Sequence, residues 1–334
     1  MIVIQKNMNS KILSALLMIS FLFACSDNAP QVVEECDSAG TEITWRKAGP
    51  IISQASVLGM DISNDGHIYV GLNGQAGGVF RSVDNGANWE KLLAFPSFDF
   101  GECVIHINTK GEIYATNSFD GVYRSLDGGE TWKLAGNGIA NQIVLNMISL
   151  PNSSTILAGT GISGLYKTEN QGDSWEAFGS GLTSVTAVAA LARAESGKLY
   201  VGTERGMFIS EDDGQNWLPI PSPNFVVGVI ALHSNGDVFA GTQAGLFFTS
   251  DDGQNWKEIN EGLDDLFITN IIVDSKGDLV ISTSLAGIYK SINNGECWFT
   301  SNSGIGNNFV AIMQRKSNDE FFLGTLGQGV FVSN

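Results

Sequence analysis

The chain has 334 residues, 16% of them charged, with 35 acids against 18 bases and a formal net charge of −17. Such a balance repels phosphate backbones and anionic headgroups, so it argues against nucleic acid and anionic membrane surfaces as partners. Apolar residues make up 43%, enough for a large core, and the 40 Gly and 7 Trp carry most of the visible organisation.

The first element in chain order is a leader. Lys6 and Lys11 precede the apolar run ILSALLMISFLFA, which ends at Cys25. The run is short for a membrane span and has the order of a secretory signal, so residues 1–24 are read as a signal peptide. The segment Leu22-Phe23-Ala24-Cys25 resembles the bacterial lipobox. That resemblance implies a lipoprotein lipidated at Cys25 and held at the outer membrane or cell surface. Residues 25–41 then read as a polar tether. Removing the leader takes away two Lys and no acid, which leaves the mature chain more acidic still.

Residues 42–334 read as one folded domain built from a repeat. The seven Trp are Trp45, Trp89, Trp132, Trp175, Trp217, Trp256 and Trp298, spaced 39–44 residues apart. Six of them close one phrase: RSVDNGANW, RSLDGGETW, KTENQGDSW, ISEDDGQNW, FTSDDGQNW and KSINNGECW. A period near 40 residues marks a repeat architecture, commonly one unit per propeller blade. The second unit shows the frame: CVIHIN, a turn TKG, EIYAT, a turn NSFDG, VYRS, a turn LDGGET, then WKL. These are four short strands joined by tight turns, with no window long enough for a helix. The chain ends in strands that would precede a seventh phrase, and TEITWRK at the start reads as the strand that would follow one. The expected fold is therefore all-β: a seven-bladed β-propeller of four-stranded antiparallel blades, closed by the N-terminal strand completing the last blade. Closure of this kind removes sheet edges.

The phrase Ser/Thr-x-Asp-x-Gly-x-x-Trp resembles the Asp-box of the sialidase-type BNR repeat. Its acidic position is held by Asp84, Asp127, Asp212 and Asp251, and by Asn170 and Asn293 in two degenerate copies. The side-chain oxygen can accept backbone N–H bonds within its own turn, Gly supplies positive φ, and Trp packs between sheets. The six residues are thus expected to be structural. The style GVFRSxDxGxxW with GT turns also resembles the photosystem II stability/assembly factor. That family works through an Arg-rich patch, which this Arg-poor, acidic chain lacks.

Resemblance to sialidases stops at the blades. Their arginine triad has no counterpart: Arg81 and Arg124 precede Asp-box serines, and only Arg46 and Arg205 could approach the opposite mouth. Xyloglucanase-type glycosidases also carry Asp-boxes but pair two propellers, whereas one is expected here. No catalytic residue is assigned. The mouth opposite the Asp-boxes offers Asp120, Glu204, Arg205 and Gln243 from turns between second and third strands. Loops between blades add Phe95, Phe98, Asp99, Phe100, Asp264 and Asp265. These are the candidate rim for a protein or glycan ligand, with the Phe95–Phe100 loop as anchor. The alternative is a glycoside hydrolase or lyase using a carboxyl pair such as Asp120 and Glu204, since such chemistry needs two acids at a set separation.

His67, His106 and His233 occupy different frame positions without companions at ligand spacing, so no metal site is expected; nor is any cofactor. Asp61 and His106 share one frame position in adjacent blades, which suggests a buried hydrogen-bonded pair. Cys103 falls in an innermost strand. Cys36 and Cys297 fall on neighbouring blades near one face, and a Cys36–Cys297 disulfide is expected in an oxidising compartment. The protein is expected to be a monomer.

Overall fold

A computed structural model describes residues 42–50, 56–73, 77–95, 103–118, 120–140, 142–221, 226–305 and 309–334. The signal peptide, Cys25, the tether, Cys36, Phe98, Asp99 and Phe100 lie outside them. The unit Ser38–Asn334 is a ring of seven four-stranded antiparallel sheets, and every regular element among the described residues is a strand. The innermost strands, blades one to seven, are Val57–Ile62, Ile105–Ile107, Val144–Ser149, Val188–Arg193, Val227–Leu232, Ile268–Val273 and Val310–Arg315. Blade seven takes its outermost strand from the N-terminal side, where Trp45–Lys47 pairs with Gly329–Ser333.

Burial explains the pattern. The second strands, such as Ile68–Leu72 and Leu199–Thr203, are buried at every residue, as expected of strands covered on both faces by neighbouring sheets. The core accordingly lies between blades: Phe322, Val330 and Val332 of blade seven pack with Val57, Val70 and Phe80 of blade one. Outermost strands are two to five residues long and largely exposed.

Each Asp-box turn closes on itself in one way. In blade one, Ser82 Oγ accepts the Gly86 N–H at 2.8 Å, and Asp84 Oδ1 accepts the Asn88 N–H at 2.8 Å. Asn170 and Asn293 make the same bond to Ser174 and Cys297, both at 2.9 Å, because the amide oxygen accepts as a carboxylate does. The side chain and then the backbone N–H of Thr131 hold Asp127 down to about 2, and those of Asn255 do the same for Asp251. Two consecutive residues sit at positive φ, for example Asn85 at 57° and Gly86 at 80°. The turns also knit neighbours. Arg81 donates to Gly128 O (3.1 Å), Arg124 to Gln171 O, and Tyr200 OH to Asp252 Oδ1 (2.6 Å), each in the following blade's turn. Both arginines are thus joints between blades on the Asp-box side. Cys297 is disulfide-bonded, and Cys103 is buried.

Candidate binding face

Six innermost strands carry a β-bulge after their first residue, at Leu58, Leu145, Ala189, Gly228, Thr269 and Ala311. A bulge re-aims a side chain out of the pleat. All six line the central channel, a cavity of about 510 Å³ whose walls come from all seven blades. Most of its lining residues are apolar or glycine, with Asn146, Thr269, Asn270 and Gln314 among them. Asn146 is turned toward the next blade, donating to Val188 O (3.0 Å), while Asn270 donates to Ser282 Oγ of its own blade (2.9 Å) and accepts the Met313 N–H of blade seven (3.2 Å).

The mouth opposite the Asp-boxes carries an apolar crown. Ile143, Val226, Phe267 and Phe309 each immediately precede an innermost strand and are 38–47% exposed. The turns between second and third strands bond back to three of them: Gly161 N–H to Ile143 O, Ser284 N–H to Phe267 O, and Leu326 N–H to Phe309 O. This brings Ile162, Leu285 and Leu326, all exposed, onto the same rim, with Leu266 beside Phe267. Scattered single apolar residues need no explanation, but several exposed ones on one rim make it a candidate interaction surface.

The expected rim residues fall into a different pattern. Phe95 is half-buried and tilts against Tyr123, centroids 5.8 Å apart, so its ring is engaged in the core. Asp120 accepts from Asn117 Nδ2 at 2.8 Å and bonds Tyr123, whose phenol is pushed up to about 12 by burial and then by the Asp120 charge. Glu204 accepts the N–H groups of Thr186 (2.8 Å) and Ala187 (2.9 Å) and lies 3.9 Å from Arg205, which is exposed. Burial pushes Glu204 up, but the backbone donors outweigh it and hold the acid below its ordinary value. Asp265 behaves alike. Burial is overcome by the N–H groups of Phe267 (3.0 Å) and Leu285 (2.6 Å) and the Ser284 hydroxyl (3.0 Å). Asp264 accepts from Tyr289 OH at 3.2 Å, and Gln243 is exposed in its turn. A glycosidase acid needs a raised pKa, and Glu204 and Asp265 have the opposite. Among the described residues no group of three or more His, Cys, Asp or Glu could hold a metal ion.

The polar chain that is built lies toward the Asp-box end of the innermost strands, across blades one to three. His106 Nε2 meets Ser149 Oγ at 2.6 Å, and His106 Nδ1 lies 3.9 Å from Asp61 Oδ2. Asp61 also accepts the N–H groups of Ile107 (2.7 Å) and Ile62 (2.8 Å). The expected Asp61–His106 neighbourhood is present, at a distance too long for a direct hydrogen bond; Ser149 was not anticipated. Burial pushes Asp61 up to about 6, partly offset by its backbone donors, and pushes His106 down to about 4.

The two shifts give opposite pH slopes. Asp61 stabilises the fold below its unfolded value, and that contribution is lost as pH rises through 6. His106 costs nothing above its unfolded value and destabilises as pH falls toward 4. Relative to the unaltered protein, His106→Gln should therefore lose stability, and Asp61→Asn gain it, as pH rises from 4 to 6. Each change should be on the order of 2 kcal/mol. Urea titrations across that range read the slopes; parallel curves for both variants would refute the assignment.

The comparisons with known proteins agree with this architecture. The description "DUF6242 beta propeller domain" matches residues 152–303, and the BNR/Asp-box repeat matches residues 123–134. The chain is thus a seven-bladed β-propeller that carries a BNR/Asp-box repeat. No curated protein matches it. Among solved structures, the extracellular domain of BT4673 from B. thetaiotaomicron aligns at TM-score 0.70 and 18% identity, over 87% of this chain. The chain spans only 40% of that one. YCF48 bound to D1 peptide aligns at 0.68 and 16% identity, covering 86% of this chain and 96% of the other. The GH74 xyloglucanase from Xanthomonas campestris aligns at 0.64 and 15%, covering 87% and 53%. At such identities the likeness concerns the fold alone.

Proposed function

We propose that this is a bacterial lipoprotein, exported by residues 1–24, anchored through Cys25 at the outer membrane or cell surface, and acting as a monomeric, non-catalytic binding or scaffolding module. Cys36 is the proposed partner of the disulfide-bonded Cys297. The observation that carries the binding role is the apolar crown around the channel mouth. Exposed Phe, Leu, Ile and Val without an ordered polar lattice suit a protein partner better than a glycan. Two relatives by fold are an extracellular domain and a propeller with a bound peptide, which supports the same reading. The lowered pKa values of Glu204 and Asp265 weigh against hydrolase chemistry at this rim.

The test is site-specific photo-cross-linking of the full-length protein in its native envelope. A cross-linker replacing Phe309 should trap one discrete protein, while one replacing Val83, exposed on the Asp-box face, should not. Azido-palmitate labelling, lost in Cys25→Ala, reads the anchor. Equal trapping from both faces would remove the crown from the argument. Glycan turnover that disappears in Asp120→Asn or Glu204→Gln would replace the proposal with the glycosidase alternative.

A further inference from the structure

The channel beneath the crown is lopsided. Its bulged residues are large on blades one and three, Leu58 and Leu145, and small on blades four, five and seven, Ala189, Gly228 and Ala311. Gly228 is the informative one. Glycines elsewhere in the inner and second strands are required by crowding: a Cβ on Gly59 would lie 2.5 Å from Cys103 O, and one on Gly202 2.6 Å from Val227 O. A Cβ on Gly228 would meet no atom within 4 Å, and its φ lies outside the left-handed region. Nothing in the fold asks for glycine there. Its effect is to leave open space in the channel wall.

That space lies on the side where the crown is densest. Val226 stands two residues before Gly228, and Phe267 both lines the channel and is 43% exposed at the mouth. Phe309, Leu285 and Leu326 continue the rim over blades six and seven. The cavity therefore opens directly under exposed apolar side chains. Charge surrounds it asymmetrically. The Asp265 carboxylate is held between Phe267 and Leu285 by their own N–H groups, and Asp264 and the exposed Glu261 flank it on the same loop.

We propose that the channel is a socket for one apolar side chain, aromatic or long aliphatic, inserted by a protein segment whose adjacent residues are basic and face the Glu261–Asp265 loop. This rests on the protein-binding reading of the same face and specifies what the partner presents. The volume, about 510 Å³, is ample for one side chain with its backbone at the mouth. Insertion removes the anchor from water, which is how a small number of residues dominates binding at a concave site. The flanking cations gain from a carboxylate cluster with few opposing charges.

The experiment uses fluorescein-labelled, end-capped peptides Lys-Lys-X-Lys-Lys with X as Phe, Leu, Ala or Asp, and their Glu-flanked counterparts. Binding to the full-length protein is read by fluorescence anisotropy at fixed salt. The expected order is Phe or Leu at least tenfold tighter than Ala or Asp, with the Glu-flanked Phe peptide at least tenfold weaker. Gly228→Leu should abolish discrimination among X, because it fills the space while leaving the rim unchanged; Ala311→Leu provides a second plug if the first variant unfolds. Val83→Ser, on the far face, should change nothing. Equal binding for every X, or full discrimination retained in both plugged variants, overturns the socket. So does discrimination by X with no preference for basic flanks. Failure of all peptides alongside a discrete Phe309 cross-link would reject the socket and leave the protein-binding reading standing. Loss of that cross-link as well would reject both.

Discussion

A chain beginning at Gly49 is expected not to fold, whereas one beginning at Glu42 should. The seven residues between them supply the outermost strand of blade seven. Trp45 pairs with Ser333, Arg46 with Val332 and Lys47 with Phe331, and backbone bonds from Asn334 to Thr44 O and from Ala48 to Val330 O extend the ladder. Trp45 is 3% exposed and donates its indole N–H to Ser301 O in blade six at 2.7 Å, so it fastens blade seven to its neighbour as well. Burying one such ring contributes about 5 kcal/mol, from roughly 200 Å² at about 25 cal/mol/Å². The backbone bonds add about 1 kcal/mol each. The sum is comparable with the roughly 5–15 kcal/mol that keeps a domain folded. Loss of the strand also uncovers an edge that invites intermolecular pairing. Circular dichroism with size-exclusion chromatography would read the outcome. A monomeric Gly49 chain melting within a few degrees of the Glu42 chain would show that the ring closes without its clasp.

The closure was legible because it follows from counting. Six complete phrases, a C-terminal unit that stops before its seventh, and an N-terminal Trp strand leave one arrangement that pairs every edge. The Asp-box turns were legible for a related reason: the bonds from Ser82 and Asp84 that close the turn lie within seven residues, so the local sequence contains those partners. The mouth was less so. Phe95 reads as an exposed loop aromatic until Tyr123, 28 positions away, is found against it. Glu204 and Asp265 read as free rim charges, yet their donors are Thr186 and Ala187 in one case and Leu285 in the other, across loops that sequence does not juxtapose. The crown was missed because Ile143, Val226, Phe267 and Phe309 look like the first residue of an apolar strand. Only the bulge after the next position shows that these side chains face the mouth. Ser149 escaped because it lies one place beyond the position in register with Asp61 and His106, where blade three has Ile148.

Trp175→Ala should be the most costly single substitution in an Asp-box, about 3–5 kcal/mol in urea denaturation, and Trp132→Ala the instructive contrast at about half that. Both residues close the same phrase, so a purely local role would make them equal. Their surroundings differ. Trp175 is 5% exposed and packs with Val122 and Ile139 of blade two, and its indole N–H crosses to Ala135 O at 2.9 Å. Its own backbone N–H is bonded to Asn137 O at 2.8 Å. The blade-two loop approaches so closely that a Cβ on Gly138, at φ 92°, would lie 2.0 Å from Trp175 O. Removing the ring therefore opens a cavity between two blades and strands a carbonyl. Trp132 is only half-buried against the cluster shared by blades one and two and donates to Gly129 O of its own turn at 3.0 Å, so its loss leaves a smaller cavity and strands no carbonyl of another blade. Equal costs for the two variants would mean that the turn itself dominates. The expected difference would place the energy of the motif at the seam between blades, which is where a closed ring must resist opening.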